Sequence, residues 1–335
     1  MKIISFGEIM LRLTPPDYLL IEQTDQLQMS YVGTGVNLLS SLSRFGHETA
    51  ILTQVSDNTL GNATKAQMRK LGIGDQFIGS CGNHMGSFFV ELGYGNRPTQ
   101  VTYQNRLNSS FCTSGTTAAD IAKAVKWADV VHICGITLSL TETTRESAIN
   151  LAKQAYEAGK MVCFDFNYRP SLNQDNEKTQ MKAYYEEILQ YSQLVFGSAR
   201  DLTALLDFKI DKTLDEKEQL YDLSKQFMKK YDISQFAGTI RAHKDAPTLS
   251  GFIVKDEKIH LTPPYELTIL DRIGAGDAYA SGVIHGYFKN WPTEKTATFA
   301  TVNAVLAHST FGDIPMATAS QIEAYIENPT VNLVR

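Results

Sequence analysis

The stretch DRIGAGDAYASG, residues 271–282, combines three glycines with two aspartates and continues into small and apolar residues. Gly274 and Gly276 permit positive φ angles and remove side chains that would keep a ligand away from the backbone. Because a helix is predicted to begin near Asp277, successive backbone N–H groups and the positive end of the helix dipole face outward. Gly274, Ala275 and Gly276 are therefore predicted to form an anion hole suited to a phosphate group.

Asp277 stands at the entrance of this predicted helix, where a carboxylate would repel a bound phosphate. We expect it to act instead as a general base, which takes a proton from a hydroxyl group while the backbone amides hold a phosphoryl group. The alternative is an ordinary turn in which Asp277 caps the helix. The small residues that follow, which can pack closely against a sheet, favour the functional interpretation.

Size and composition exclude several classes of protein. The 335 residues suffice for one large α/β domain or two ordinary ones, and 43% hydrophobic with 20% charged residues is typical of a globular protein. The net charge of −5 argues against a general nucleic-acid-binding surface. We expect no membrane span and no signal peptide. The four cysteines form no CxxC motif, which favours buried free thiols, a cytoplasmic location and no structural metal site.

Short β-type runs alternate with helical stretches along the chain, a pattern typical of a mostly parallel sheet covered on both faces. A single α/β domain over residues 1–335 is expected. The predicted strands are Lys2–Phe6, Glu48–Val55, Val130–Cys134, Met161–Phe166, Leu194–Phe196 and Phe236–Ile240. The predicted helices are Asn37–Phe45, Leu60–Leu71, Thr116–Lys126, Thr143–Glu157, Glu177–Leu189, Leu214–Lys230, Ala278–Lys289 and Thr293–His308.

Two segments, about 9–33 and about 86–108, interrupt this alternation with β-hairpin character. We expect them to form a small antiparallel sheet that stands off the main domain. Such a sheet would be a lid over a cleft at the carboxyl ends of the parallel strands, where ligands bind in open α/β folds. Its strand edges also offer a route to a homo-oligomer.

Five further stretches carry a family resemblance together with residues 271–282. They are FGEIMLRLTPPD (6–17), VGTGVNLLSSLSRFG (32–46), GITLSL (135–140), FDFNYRPSL (164–172) and FGD (311–313). In this order, and over essentially the whole chain, they resemble the ribokinase-like (PfkB-type) carbohydrate kinases, most of all the 2-keto-3-deoxygluconate kinase branch. The resemblance implies a three-layer α/β/α core with a small β lid. It also implies transfer of the γ-phosphoryl group of ATP, with Mg²⁺, to a sugar hydroxyl, with Asp277 as the base.

The stretch FDFNYRP contains a candidate for anion binding. Asn167 follows an apolar strand, and Arg169 precedes Pro170, which disfavours a helix starting there. An arginine at this position can hold a carboxylate or phosphate with two parallel hydrogen bonds. The resemblance implies that Arg169 lies near both substrate and nucleotide. The alternative is a surface arginine paired with a nearby acid.

The stretch YVGTGVN also follows a strand and opens a helix. Gly33 and Gly35 let substrate hydroxyls approach the backbone around Thr34, and Asn37 can both donate and accept hydrogen bonds. The version usual in the resembling family has one more residue before the asparagine. A simple tight turn is the alternative interpretation.

The resemblance assigns five more residues to substrate binding. Tyr103 and Arg106 match a tyrosine and an arginine of the lid that close over a sugar acid, although two residues separate them here where relatives commonly have one. Phe88 stands where some relatives carry a tyrosine, with packing of the lid as its alternative. Ile136 would supply a backbone contact, and Asp313 would meet the hydroxyls or cap a loop.

The residues on the nucleotide side of the predicted site match the motifs of the resembling family less well. FGSARDL (196–202) occupies the place of a family NxxE motif that is linked through water to Mg²⁺ and phosphate; Asp201 keeps a carboxylate, whereas Ser198 lacks the amide. GTIRAHKDA (238–246) replaces a lysine-rich glycine turn. Strand-end roles and a packed histidine are the alternatives here. The candidates for nucleotide binding are Asn167, Ser198, Thr239, Arg241, Asn303 and His308.

The leading hypothesis is an ATP-dependent kinase that converts 2-keto-3-deoxy-D-gluconate to its 6-phosphate, with the lid excluding water. One alternative is a kinase for fructose, ribose or a related keto sugar. Another is a non-catalytic sugar-binding pseudokinase, which the departures at Ser198, Gly33–Gly35 and 239–241 keep open. A dinucleotide-dependent dehydrogenase is disfavoured, because the glycine-rich stretch does not follow the first strand.

Overall fold

The computed structural model of the protein describes residues 1–173, 176–242 and 246–329. Its strands fall into two sheets. In chain order they are β1 (Lys2–Phe6), β2 (Met10–Thr14), β3 (Gln28–Val32), β4 (Glu48–Val55), β5 (Ile73–Gly74), β6 (Ile78–Ser80), β7 (Ser87–Glu91), β8 (Gln100–Gln104), β9 (Val130–Cys134), β10 (Met161–Asp165), β11 (Leu194–Phe196), β12 (Gln235–Ala242), β13 (Thr248–Lys255), β14 (Lys258–Leu261) and β15 (Tyr265–Glu266).

The α-helices surround the larger sheet. They are α1 (Thr34–Arg44), α2 (Thr59–Lys70), α3 (Ser110–Ser114), α4 (Ala118–Trp127), α5 (Ile136–Leu140), α6 (Glu142–Glu157), α7 (Lys178–Leu189), α8 (Ala199–Ala204), α9 (Glu216–Tyr231), α10 (Ala275–Phe288), α11 (Thr293–Ala307) and α12 (Ala319–Glu327). Short 3₁₀ turns occur at Ile21–Gln23, Arg106–Asn108 and Pro170–Leu172.

The larger sheet has the strand order β14-β13-β12-β11-β10-β9-β1-β4-β5, with β15 beside β13 and β6 beside β4. The strands from β12 to β5 pair in parallel, as in the register of Ile4 opposite Ala50 and Val131. The edge formed by β13, β14 and β15 is antiparallel. The prediction of a mostly parallel central sheet is confirmed, and the six predicted strands are all present, with bounds that differ by at most two residues.

Both faces of this sheet are buried, because alternate residues of each strand enter different hydrophobic clusters. Ile4 of β1 belongs to the hydrophobic cluster on the face covered by α4, α6, α7 and α9, whereas the neighbouring Ile3 belongs to the cluster on the face covered by α1, α10, α11 and α12. The same alternation places Val131 and Val130 of β9 on opposite faces. The chain therefore forms the three α/β/α layers that the sequence predicts.

The smaller sheet has the order β3-β2-β7-β8 and is formed by residues from the two segments with hairpin character. The pairs β2–β3 and β7–β8 are antiparallel, but the central pair β2–β7 is parallel, with Arg12 opposite Phe88. The prediction of a small antiparallel sheet therefore holds for the two outer pairs and not for the central pair. Parallel strands need a long crossover connection, and here the chain between β3 and β7 passes through the main body.

The eight predicted helices are also present, but α1 and α10 begin three residues earlier than predicted, directly after Gly33 and Gly274. Gly33 and Gly274 have no side chain that could accept a hydrogen bond from the first turn, so these starts carry no side-chain capping signal. The sequence analysis did not predict the helices α3, α5, α8 and α12 or the strands β5, β6 and β13–β15. No helix in the described part of the chain is long and apolar enough to cross a membrane. The four cysteines are free thiols, as expected.

Candidate active site

A cavity of about 600 Å³ lies between the smaller sheet and the carboxyl ends of the strands β9, β10 and β12. Residues of both glycine-rich stretches face it, although they are far apart in sequence. The predicted site residues that line this cavity are Gly33, Thr34, Asn37, Phe88, Tyr103, Arg106, Ile136, Asn167, Arg169, Arg241, Gly274, Gly276, Asp277 and Asp313.

The two glycines of the loop, Gly274 and Gly276, have different surroundings. Gly274 has a φ of 84°, and a Cβ atom placed on it would lie 1.8 Å from the backbone oxygen of Asp313. A Cβ atom on Gly276 would meet nothing within 4 Å, so the backbone there is open toward the cavity. Helix α10 begins at Ala275, and the first N–H groups of a helix have no intrahelical partners. The loop can therefore offer backbone donors to an anion in the cavity.

Ala275 is buried and does not line the cavity, so its side chain is not available to a ligand. Asp277 in the first turn of α10 is 6% exposed and lines the cavity. Burial raises the pKa of its carboxyl group well above the ordinary value, and the carboxylates of Asp165 and Asp313 add to this rise. A carboxylate with a raised pKa is a stronger base, which suits proton abstraction from a hydroxyl group.

Asn37 of α1 supports this carboxylate directly. Its Nδ2 atom donates a hydrogen bond of 2.7 Å to Oδ2 of Asp277, which counteracts the rise in the pKa of Asp277. The Oδ1 atom of Asn37 is buried and has no hydrogen-bond partner within the described residues. Because a buried acceptor without a partner is costly, this atom is a natural acceptor for a ligand hydroxyl.

Behind Asp277 lies a second group of polar residues at the end of β10. Burial raises the pKa of Asp165 to about 7, the carboxylate of Asp201 adds to this effect, and Arg169 opposes it. The backbone N–H of Asn167 donates to Oδ1 of Asp165 at 3.1 Å, and Nε of Arg169 donates to Oδ1 of Asn167 at 2.8 Å. Arg169 is thus held with its guanidinium at the cavity wall.

Arg106 is fixed by a residue that the sequence reading missed. Its Nε atom donates to Oε2 of Glu8 at 2.7 Å, and the hydroxyl of Ser109 donates to Oε1 of the same carboxylate at 2.8 Å. The guanidinium carbon of Arg106 lies 5.1 Å from the ring centroid of Tyr103, which in turn packs against Phe88. Glu8 lies in the quoted stretch FGEIMLRLTPPD, where a charged residue within an apolar run was the available signal.

Asp313 is held by a second missed residue. Arg12, on strand β2, makes buried ion pairs with both Asp313 and Asp271. Burial raises the pKa of Asp313 to about 6, whereas the charge and hydrogen bond of Arg12 lower it. Arg272 is a further cavity residue that was not predicted. Asp313 therefore faces the cavity from within an ion pair, and not as a free loop carboxylate.

The candidates for nucleotide binding separate into residues that line a cavity and residues that are fully buried. Ser198 and Thr239 line a smaller cavity of about 220 Å³, which shares Asn167, Arg169 and Gly276 with the larger one. Ser198 caps helix α8, because its hydroxyl oxygen accepts from the backbone N–H of Asp201 at 3.4 Å, and in return the hydroxyl and the backbone N–H of Ser198 donate to Oδ2 of Asp201 at 2.7 and 2.8 Å. The Ser-Asp pair thus replaces the expected NxxE arrangement with a closed capping box.

Four predicted site residues, Ala275, Gly35, Asn303 and His308, do not line either cavity. Gly35 is buried against Ser5, and Asn303 is fully buried, where its Nδ2 atom donates to the backbone oxygen of Ala278 at 2.8 Å. His308 is also fully buried. This placement does not support direct contacts of Asn303 and His308 with adenine, because both side chains have no exposed surface. Residues 243–245 of the stretch GTIRAHKDA lie outside the described residues.

His308 nevertheless contacts a cavity residue. Its Nδ1 atom lies 2.6 Å from the backbone oxygen of Ala304, and its Nε2 atom lies 3.0 Å from Nη1 of Arg241. A carbonyl can only accept and a guanidinium can only donate, so the ring is neutral, with its proton on Nδ1. Burial lowers the pKa of His308, in agreement with this state. His308 therefore supports Arg241 from behind.

The chain is similar in sequence and structure to several known proteins. The chain is 51% identical to a proposed 2-keto-3-deoxygluconate kinase of Enterococcus faecalis, whose crystal structure superposes with a TM-score of 0.97 over 100% of this chain and 99% of the other. A 2-dehydro-3-deoxygluconokinase of Thermotoga maritima is 29% identical, with a TM-score of 0.91 and 98% of each chain covered. A 2-dehydro-3-deoxygalactonokinase of Haloferax volcanii is 26% identical over 100% of this chain and 99% of its own length.

The family model described as pfkB family carbohydrate kinase matches residues 1–319. This match covers both sheets, the glycine loop and Asp277. The chain therefore belongs to the pfkB family of carbohydrate kinases.

Proposed function

We propose that this sugar kinase transfers the γ-phosphoryl group of ATP to the terminal hydroxyl of 2-keto-3-deoxy-D-gluconate and forms the 6-phosphate. One observation carries the proposal. The open backbone of Gly276 and the buried carboxylate of Asp277 face the same cavity as the guanidinium groups of Arg106 and Arg169. The cavity thus combines an anion hole, a base and cationic groups that suit a sugar acid.

In the proposed reaction, Asp277 takes the proton of the attacking hydroxyl, and Asn37 orients the carboxylate for this step. The backbone N–H groups of the loop from Gly274 to Asp277 hold the charge that develops on the transferred phosphoryl group. Oδ1 of Asn37, together with the backbone of Gly33 and Thr34, accepts and donates hydrogen bonds to the hydroxyls of the sugar.

The carboxylate of the substrate binds to arginine in this proposal. Glu8 uses the Nε atom of Arg106 and orients its guanidinium group at the cavity wall, while Asn167 does the same for Arg169. A guanidinium group can form two parallel hydrogen bonds with a carboxylate. Neutral sugars lack the carboxylate and would not use the remaining N–H groups of these two guanidinium groups in this way.

ATP and Mg²⁺ are the proposed cosubstrate and cofactor. A structure with the same fold from Escherichia coli, 15% identical with a TM-score of 0.80, was solved in complex with ATP and Mg²⁺. Ser198, Thr239 and Arg241 are proposed to contact the nucleotide. The oxygen atoms of Asp165, Asp201 and Asn167 are the donor type that Mg²⁺ prefers, and Mg²⁺ commonly binds through few carboxylates, water and phosphate. The ion would neutralise the phosphates.

We further propose that residues 1–335 form one ribokinase-like domain, with a lid built from residues about 9–33 and about 86–108. The lid is proposed to close over the cavity and exclude water.

All five residues of its edge strand β8 are exposed, so the lid is also the proposed surface for a homo-oligomer. Light scattering tests whether two subunits associate through β8. It compares the wild-type chain with Val101→Pro, which interrupts this strand. The free cysteines suit a reducing cytoplasm.

The test of the proposed activity is a coupled assay of ADP release with a panel of substrates. The panel contains 2-keto-3-deoxygluconate, its galactonate epimer, fructose and ribose. We expect turnover with a keto-deoxy sugar acid and little with neutral sugars. Turnover restricted to fructose or ribose would exclude the sugar-acid assignment, and calorimetric binding without any turnover would indicate a non-catalytic sugar-binding protein.

A further inference from the structure

Arg12 links the two sheets of the molecule through a buried ion cluster. It lies on strand β2 of the smaller sheet, yet its side chain is only 3% exposed and its guanidinium reaches residues of the main body. Nη2 lies 2.6 Å from Oδ2 of Asp271, Nη1 pairs with Oδ1 of Asp313, and Nε donates to the hydroxyl of Thr14 at 3.0 Å. All three nitrogen atoms of the guanidinium group therefore have partners.

The two carboxylates connect Arg12 to both sides of the glycine loop. Asp271 accepts hydrogen bonds from the backbone N–H groups of Ile273, at 3.1 Å, and Gly312, at 3.2 Å. The backbone oxygen of Asp313 fills the space next to the Cα atom of Gly274, where a Cβ atom would stand 1.8 Å away. The segments 271–274 and 311–313 are thus packed against each other, and Arg12 holds both.

The charges in this cluster explain why an arginine is needed. Asp271 and Asp313 are 2% and 5% exposed, and two buried carboxylates repel each other unless a cation lies between them. The planar guanidinium group can serve two carboxylates at once, whereas the ammonium group of lysine is a point charge with a different geometry. Without Arg12 the two carboxylates would move apart and carry the glycine loop with them.

We propose that Arg12 is a positioning residue that couples the lid strand β2 to the glycine loop and fixes the backbone N–H groups of residues 274–277. Arg12 is not among the residues that line the cavity, so it acts through Asp271 and Asp313 and not by touching a ligand. The kinetic part of this inference rests on the proposed function, but the structural part does not.

The structural part is tested by hydrogen–deuterium exchange on the full chain without ligands. In Arg12→Lys we expect faster exchange in peptides that cover 271–277 and 311–313, while peptides from the central strands keep their protection. The matched control is Arg97→Lys, a lid arginine that donates to the backbone oxygen atoms of Tyr18 and Leu92. It should leave peptides 271–277 unchanged. Unchanged exchange in Arg12→Lys, an equal effect in the control, or a uniform rise over the whole chain would each overturn the proposal.

A second variant keeps the test decisive if Arg12→Lys does not fold. Asp313→Asn removes one charged partner of Arg12 and leaves the pair with Asp271 intact. It should also speed exchange in 271–277, and unchanged exchange there would contradict the coupling.

Turnover supplies an independent readout. Because a displacement of about 1 Å in a catalytic site can cost on the order of 100-fold in rate, kcat of Arg12→Lys should fall by about that factor, with nucleotide affinity close to wild type. Wild-type kcat in Arg12→Lys would overturn the proposal. If the wild-type chain phosphorylates no sugar, the proposed function fails, and the exchange experiment still decides the role of Arg12.

Discussion

Asn37 and Asp277 are 240 residues apart in sequence, and a hydrogen bond of 2.7 Å joins their side chains at the cavity. Each residue lies in the first turn of a helix that begins directly after a glycine. Helices α1 and α10 pack against each other, and Ser41 and Ser281 connect them through a hydrogen bond of 2.8 Å one turn further along. The position of the proposed base is therefore set by the packing of two helices.

The first prediction concerns the pKa of this base. The hydrogen bond from Asn37 lowers the pKa of Asp277, so Asn37→Ala should raise it. A base must be unprotonated to act, and therefore the acidic limb of the profile of kcat/KM against pH should move to higher pH. The profile measured over the acidic range checks this. A profile identical to that of the wild type would show that Asn37 does not influence the base.

Replacement of the base itself should separate chemistry from binding. We expect Asp277→Asn to lower kcat by about 10²- to 10⁴-fold, the usual contribution of a general base, while calorimetry still detects the sugar acid. Asp120→Asn is the matched control, since Asp120 also lies in the first turn of a helix, α4, but its side chain is 40% exposed. Undiminished turnover in Asp277→Asn would refute its assignment as the base.

The two glycines of the loop should fail in different ways when replaced by alanine. Gly274→Ala places a methyl group against the backbone oxygen of Asp313 at a positive φ angle, so it should destabilise the fold by more than ~1 kcal/mol. Gly276→Ala has open space and should fold like the wild type, but its methyl group obstructs the anion hole and turnover should fall. Thermal unfolding and kcat, measured on both variants, check this difference. Equal stability of the two variants would contradict it.

Recognition of the carboxylate should depend on arginine. A hydrogen bond to a charged group contributes about 1.5–3 kcal/mol, so Arg106→Ala or Arg169→Ala should weaken binding of the sugar acid by roughly 10- to 100-fold. Affinity for an analogue with an amide in place of the carboxylate should change far less. Arg69→Ala removes a surface ion pair with Asp75 and serves as the control. An equal loss for the acid and the amide would mean that these arginines do not bind the carboxylate.

The substitution Arg106→Ala should also lower the stability of the fold. Arg106→Ala leaves Glu8 as a buried carboxylate with a 3% exposed side chain, and removal of one partner of a buried ion pair typically costs about 3–5 kcal/mol. Glu8→Gln added to Arg106→Ala should therefore recover part of the lost free energy of unfolding. Urea denaturation of the single and double variants measures this recovery. A double variant less stable than Arg106→Ala would contradict the paired role of Glu8.

Sequence reasoning succeeded where one residue type has a local physical meaning. Glycines followed by small helical residues located the loop near Asp277, and an arginine before a proline located Arg169; the structure brings both to one cavity. Strand positions followed from apolar runs, because both faces of the central sheet are buried.

The features that sequence reasoning did not predict depend on contacts between segments that are distant in the chain. Arg12 and Glu8 look like surface charges in the sequence, but Arg12 is buried in ion pairs with Asp271 and Asp313, and Glu8 is buried against Arg106 and Ser109. Asn303 and His308 were placed on the correct helix or its end, but the face that each side chain occupies is decided by contacts with α10 and Arg241. The parallel pairing of β2 with β7 depends on the path of the intervening chain, which has no local signature.

That parallel pair has a consequence for protein engineering. Strands β2 and β7 are joined only after the chain between them has crossed the main body, so the smaller sheet contains no continuous segment that holds its central pair. To exchange this sheet between related kinases, both chain segments that form it would have to be grafted together. The residues of β2 and β7 that face each other across the pair would have to come from the same protein. A chimera that carries a single graft would combine mismatched halves and lose the register of Arg12 opposite Phe88.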